Sequence, residues 1–243
     1  MAEAYPAQVR ETCLPHGNIR LKKKLSDIFL SLRDPNSPRP KWQGLSWIII
    51  AFLLTGVPVI VGRGIAAHYH LSGDMGKTIV LPFVILILFA LQKEQGREIM
   101  ARHIPALLLA GIAPAALWIA MQGEFSLDEN GVVLSEVPWL VFANYFLNSI
   151  VIVPVYEEKI VRGLLLRGAA AFLSRPLAIF ATSALFAYAH KGDEISSFLF
   201  AIVLAYLALY RNMGPIERAI IHGSYNATIA FAAAIHIVFM MKA

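Results

Sequence analysis

Residues 45–62, LSWIIIAFLLTGVPVIVG, form a run of 18 residues without a charged side chain. A run of about 18 or more predominantly apolar residues is long enough for a helix that crosses the hydrocarbon core of a bilayer. The composition of the whole chain agrees with this class. Of its 243 residues, 58% are hydrophobic and 15% are charged, and the mean hydropathy is +0.62. Because soluble domains carry about 25% charged residues, we predict an integral, all-α membrane protein.

Seven further apolar runs follow the first one. Together they predict a polytopic bundle of about eight transmembrane helices, of which several are short and are therefore expected to be tilted or enclosed by other helices. The eight runs cover residues 45–62, 78–92, 104–121, 138–156, 160–173, 177–190, 195–210 and 219–241. The chain accordingly divides into a tail (1–41), N-terminal transmembrane helices (42–137) and a C-terminal set of helices (138–243).

The formal net charge of +5 is concentrated in the tail. Residues 1–41 hold eight Lys and Arg against four Asp and Glu, which is +4 of the +5. A basic segment before the first span is expected on the cytoplasmic side of a membrane. We therefore predict a cytoplasmic N-terminus and a contact with anionic lipid, and no nucleic-acid partner is needed to explain the charge. Apolar residues at intervals of three and four between 19 and 32 predict an interfacial helix, with a solvated tail as the alternative.

The loops support the same orientation. Residues 122–137 carry acidic side chains without Lys or Arg, which predicts an external loop, whereas residues 93–102 carry three bases and are expected inside. Short loops and a compact chain favour a bacterial inner membrane.

A group of charged residues begins the fifth apolar run, where ionisable side chains are functional candidates because their burial in a bilayer costs several kcal/mol. Glu158 and Arg162 are four positions apart, so they share one helix face in the order that favours an ion pair. Glu157 is displaced by about 100° around the helix. One carboxylate can thus be neutralised structurally, while Glu157 stays free to act as a base.

Two more polar groups lie at the ends of apolar runs. Phe186 and His190 close the sixth run, and His222 and Asn226, four apart on one helix face, begin the eighth. Each pair by itself has a structural explanation, because helix interiors accommodate polar residues by hydrogen bonding to neighbours. Together, however, a carboxylate, two imidazoles and a carboxamide are sufficient to activate water and to stabilise an oxyanion. The combination indicates hydrolysis of a peptide bond.

The motifs EExxxR, FxxxH and HxxxN, in this order, resemble the signature of the CAAX-protease and bacteriocin-processing (CPBP, or Abi) family of intramembrane proteases. The match falls on Glu157, Glu158 and Arg162, on Phe186 and His190, and on His222 and Asn226. The resemblance covers roughly residues 138–241, so residues 138–243 are predicted to be the catalytic core.

The resemblance implies an eight-helix bundle with an intramembrane cavity open toward the cytosol and the membrane. A membrane-embedded or lipidated peptide, including a prenylated CAAX-type tail, would enter there. It further implies that Glu157 activates a water with the assistance of His190, and that His222 and Asn226 hold the oxyanion. The supporting residues in this scheme are Glu158, Arg162 and Phe186.

Other interpretations stay open. Glu157, His190 and His222 could hold a zinc ion that has an open position for water, although nothing in their spacing demands a metal, and we expect catalysis without a cofactor. The single cysteine, Cys13, excludes a thiolate metal cluster and an internal disulfide. A non-enzymatic bacteriocin-immunity or membrane-peptide-binding protein of the same fold is the main functional alternative, and a small proton-coupled transporter is another.

Overall fold

The computed structural model describes residues 41–91, 101–122 and 139–240, and within these ranges the secondary structure is entirely helical. The long helical segments are α1 (Lys41–Tyr69), α2 (Gly73–Leu91), α3 (Ile104–Gln122), α4 (139–169), α5 (Arg175–Ala189), α6 (Glu194–Tyr210) and α7 (Pro215–Met240). A short 3₁₀ turn, Ala101–His103, precedes α3. The predicted interfacial helix lies outside the described residues, as does almost all of the two charged loops.

In the part of the chain that the structure describes, three helices are long and apolar enough to cross a membrane. These are Lys41–Tyr69, Gly73–Leu91 and Ile104–Met121. Helix α6 is also apolar, but it has only 17 residues. The prediction of an all-helical membrane protein is therefore confirmed, whereas the prediction of about eight crossings is not.

Residues 139–169 form one continuous helical segment, and the predicted division into spans 138–156 and 160–173 is wrong. The segment alternates between α-helix and two π-helical stretches, Asn148–Ile152 and Glu158–Leu165, and the residues at each junction keep helical φ and ψ angles. Glu157 and Glu158 consequently lie inside α4 and do not begin a helix. Their charge interrupts the hydropathy of the run but not the backbone, because neighbouring helices enclose these side chains.

Helix α4 is central, because it contacts α1, α2, α5, α6 and α7. Around it, α1 packs along α2, α3 along α7, and α5 along α6. Small residues permit the closest approaches, as is common where helices associate in membranes. A Cβ added at Gly76 would lie 2.0 Å from the carbonyl oxygen of Gly62, so α1 and α2 meet backbone to backbone there.

Apolar clusters hold this arrangement together, and two of them involve the helices that carry the candidate site. The first joins α1 and α2 to α4 and includes Trp47, Val84, Leu88, Ile160 and Leu164, all at most 3% exposed. The second joins α3, α6 and α7 and includes Leu107, Ala115, Phe200, Leu204 and Ile221. The first cluster includes residues of α4 and the second includes residues of α7, the two helices that carry most of the polar residues singled out from the sequence.

Candidate active site

The carboxylate of Glu157 lies between two histidines that come from different helices. Its Oε1 is 4.0 Å from Nε2 of His190, at the end of α5, and its Oε2 is 3.7 Å from Nε2 of His222 on α7. The side chain of Glu157 keeps 18% of its surface exposed. Three of the four predicted catalytic residues are thus brought together around one carboxylate.

The spacing between Glu157 and His190 suits a shared water molecule. Two atoms 4.0 Å apart can each form a hydrogen bond of about 2.8 Å to one water located beside the line that joins them. Nδ1 of His190 lies 2.8 Å from the carbonyl oxygen of Phe186. Because a carbonyl only accepts, Nδ1 carries the proton, and in the neutral imidazole the lone pair of Nε2 faces Glu157. A water held by two acceptors in this way is oriented for deprotonation.

Glu158 is the structural carboxylate of the pair. Its side chain is fully buried, with Nη1 of Arg162 at 3.2 Å and with Nε of Arg218 donating a hydrogen bond of 2.9 Å to Oε2. The other oxygen, Oε1, is the one that pairs with Arg162, and it also lies 3.4 Å from Nδ1 of His222. The pairing with Arg162 is the one that the spacing in the sequence predicted. Among the described residues, no arginine or lysine lies within ion-pair distance of Glu157, so the two neighbouring glutamates differ as expected.

Arg218 is a site residue that the sequence analysis missed. It is 0% exposed, and besides Glu158 it also contacts the carbonyl oxygen of Met213, to which Nη1 donates. A signal was present in the sequence, because Arg218, His222 and Asn226 recur every four residues and therefore share one face of α7. The residue was passed over because it lies just before the last apolar run.

Phe186 packs against three charged or titratable side chains of the site. The guanidinium carbon of Arg162 lies 4.5 Å from the centre of its ring, which is a cation–π arrangement. The ring centroids of His190 and His222 lie 4.1 and 6.1 Å away. Phe186 thus separates Arg162 from solvent and limits the orientations of both imidazoles.

Asn226 meets α4 at its first π-helical stretch, where backbone carbonyls lack helical donors. The N–H of Val153 bonds to Asn148 instead of Ser149, and Pro154 has no N–H to offer. Nδ2 of Asn226 donates a hydrogen bond of 2.9 Å to the free carbonyl oxygen of Ser149. One N–H of the carboxamide is used in this way, and the second stays available to another acceptor.

Gly223 allows α7 to approach α4 closely enough for this contact. A Cβ at Gly223 would lie 2.1 Å from the carbonyl oxygen of Ile150, which is shorter than any real Cβ contact. Since Gly223 follows His222 directly, the same approach sets the distance between His222 and Glu157. The small residue inside the third motif is therefore part of the site's geometry.

An apolar cavity of about 250 Å³ lies beside the carboxylate of Glu157. Its walls come from α1, α4 and α5, and Glu157 and His190 contribute polar groups to an otherwise mainly apolar lining. The lining includes Ala51, Phe52, Thr55, Val161, Leu165 and Leu185. A mostly apolar cavity with a few convergent polar groups is typical of a binding site for an apolar ligand.

The zinc alternative was tested on the same geometry. No three His, Cys, Asp or Glu side chains in the described part of the chain are arranged to hold a metal ion. Glu157 and the two histidines instead make the contacts described above. Catalysis without a cofactor stays a prediction.

Comparison with known families supports the motif analysis. Residues 138–239 match the family model described as type II CAAX prenyl endopeptidase Rce1-like, and this range contains all seven residues of the three motifs. No curated protein and no solved structure matches the chain. A protease of the CAAX type, acting within the membrane, is therefore supported at the level of the family. The resemblance predicted from the three motifs is confirmed, since this chain is similar over residues 138–239 to the Rce1-like type II CAAX prenyl endopeptidases.

Proposed function

We propose that the protein is an intramembrane endopeptidase in which Glu157 activates water to hydrolyse a peptide bond of a membrane-associated substrate. The observation that carries the proposal is the contrast between two neighbouring carboxylates. Glu158 is buried between Arg162 and Arg218. Glu157 faces His190 and His222 and, among the described residues, has no arginine or lysine within ion-pair distance. The carboxylate of Glu157 is therefore available as a base.

The reaction begins when Glu157 removes a proton from a water that also donates a hydrogen bond to Nε2 of His190. The water oxygen attacks the carbonyl carbon, and the electron pair of the C=O bond moves to the oxygen. His222, flanked by two carboxylates, donates from Nε2 to this oxyanion, and the unused N–H of Asn226 is the second donor. When the intermediate collapses, the C–N bond breaks, and the leaving amine takes the proton from Glu157.

The cavity between α1, α4 and α5 supports a substrate with an apolar group next to the cleaved bond. A prenyl chain on a C-terminal tail and the apolar side chains of a membrane-embedded peptide both satisfy this requirement, and the family favours the first. A bacterial inner membrane with a cytoplasmic N-terminus is the location that we propose. The non-enzymatic alternative is not favoured, because the matching family is a protease family.

The test compares the native chain with Glu157→Gln, expressed at matched levels. Peptide termini in the membranes of the two strains are compared by mass spectrometry. The purified proteins, reconstituted in vesicles, are then given an internally quenched, S-farnesylated peptide that ends in a CAAX sequence. Glu194→Gln is the matched control, since Glu194 is exposed at the start of α6.

We expect cleavage by the native chain and by Glu194→Gln, and none by Glu157→Gln. Identical termini in the two strains, together with equal peptide cleavage by all three purified proteins, would refute the proposed role of Glu157. Treatment with a chelator addresses the mechanism separately. Activity is expected to persist, and a loss that zinc restores would overturn the metal-free scheme.

A further inference from the structure

We propose that Arg218 is a positioning residue, which holds the carboxylate of Glu158 so that this carboxylate orients the imidazole of His222. The inference rests on the proposed function, because it treats His222 as part of the reacting site. Arg218 lies on the same face of α7 as His222, one turn earlier. It lies outside all three motifs that carry the family resemblance.

The contacts form a chain that leads from the α6–α7 connection to the catalytic base. Arg218 donates from Nη1 to the carbonyl oxygen of Met213 and from Nε to Oε2 of Glu158, at 2.9 Å in the latter case. Oε1 of Glu158 lies 3.4 Å from Nδ1 of His222, and Nε2 of His222 lies 3.7 Å from Glu157. Arg218, Glu158 and His222 thus each contact the residue before them and the residue after them in this series through different atoms.

Because an imidazole has two ring nitrogens, a contact at one nitrogen affects how the other is presented to the site. A carboxylate next to one ring nitrogen sets the orientation of the ring. Nδ1 of His222 faces Glu158, so the direction of Nε2, which faces Glu157, depends on where the Glu158 carboxylate is held. Loss of a partner that orients a ligating or catalytic histidine typically costs about 10–100-fold.

Arg162 does not make Arg218 redundant. Arg162 pairs with Oε1, the oxygen of Glu158 that faces His222, but it lies on the same helix as Glu158, one turn away, so their ion pair can form without fixing the position of α7. Arg218 comes from α7 and crosses to α4, and its second contact with Met213 limits the rotation of its guanidinium. Arg218 is also fully buried, so water does not replace it as the donor to Glu158. The contact between helices is therefore the one that sets the carboxylate relative to His222.

Kinetics of Arg218→Met and Arg218→Lys test the proposal, with the farnesylated CAAX peptide as the probe and the full chain in vesicles. Arg211→Met is the matched control, because Arg211 is exposed at the end of α6. We expect Arg218→Met to lower kcat by about 10–100-fold and to change KM by less than about twofold, since the cavity is untouched. Arg218→Lys should recover part of kcat, because an ammonium reaches one acceptor but lacks the planar donor geometry for two.

A second measurement needs no substrate. The chain is labelled with ¹⁵N in its histidines, and the ring signals of His222 are assigned by their absence in His222→Gln. The native protein and Arg211→Met should show a single set of ring signals for His222. Arg218→Met should show more than one set, because the ring is no longer held in one orientation, and Arg218→Lys should shift the spectrum back toward the native one.

The outcomes separate this inference from the proposed function. If Glu157→Gln cleaves as well as the native chain, the proposed role of Glu157 fails, and the histidine spectra still decide whether Arg218 positions His222. Native kcat together with native His222 signals in Arg218→Met would overturn the inference. If Arg218→Met does not fold, Arg218→Lys is read in its place, and unchanged kcat and unchanged His222 signals in that variant would overturn it equally.

Discussion

Replacement of Gly223 by alanine is expected to inactivate the enzyme without touching a catalytic group. The added Cβ would lie 2.1 Å from the carbonyl oxygen of Ile150, whereas carbon and carbonyl oxygen atoms in contact are separated by about 3.3 Å or more. Since Ile150 belongs to the backbone of α4, no side-chain rotation relieves the clash. Helix α7 must therefore move away from α4 by about 1 Å.

That movement acts directly on the site, because His222 precedes Gly223. A displacement of this size changes the 3.7 Å separation between His222 and Glu157, and a misplacement of about 1 Å costs on the order of 100-fold in rate. Overpacking of this kind also destabilises by about 1–3 kcal/mol. We therefore expect kcat to fall by about 100-fold in a protein that still folds.

The assay measures cleavage of the farnesylated CAAX peptide and thermal unfolding in the same detergent. Gly64→Ala is the matched control, because Gly64 lies on α1 with no atom within 4 Å of an added Cβ. This control should keep native activity, and removal of a helical glycine should, if anything, stabilise the helix by up to about 1 kcal/mol. Native activity in folded Gly223→Ala would refute the reasoning, as would an equal loss in Gly64→Ala.

Two further predictions concern stability. Asn226→Ala leaves the carbonyl oxygen of Ser149 without its donor and should lower the free energy of unfolding by about 0.6–1.7 kcal/mol, and an unchanged melting temperature would contradict the role of this hydrogen bond. Glu158→Gln removes the shared partner of two buried guanidiniums and should lower the free energy of unfolding by about 3–5 kcal/mol. Glu157→Gln changes a partly exposed carboxylate, so this variant should unfold close to the native temperature. Equal melting temperatures of the two glutamine variants would show that the glutamates do not differ as the structure indicates.

The α-helical membrane class and the identity of most site residues could be predicted from the sequence because both depend on local patterns. A long uncharged apolar run identifies a membrane helix wherever it occurs in the chain. Glu158 and Arg162 are neighbours on any helix, since residues four apart face the same way. Glu157 was distinguished from Glu158 by the same periodicity. None of these conclusions required knowledge of which helices are in contact.

The boundaries of a helix were harder to predict where charged residues interrupt an apolar run but the backbone stays helical. The sequence alone divided residues 138–173 into two spans because charged residues interrupt the apolar pattern. In the structure, α4 continues through them, because Arg218 and His222 on α7 surround Glu158 and provide the polar partners that a bilayer lacks. Hydropathy measures the preference of a residue for lipid, and these residues do not face lipid.

The sequence by itself determined that the protein is a helical membrane protein and which polar side chains are candidates for its site, since both follow from composition and from spacing along one helix. Only the tertiary structure decided that Arg218 belongs to the site, that Asn226 meets Ser149, and that Gly223 sets how closely α7 approaches α4. The physical reason is that these contacts join helices more than 50 residues apart in the chain. Their distances depend on how whole helices pack, which no local pattern of residues encodes.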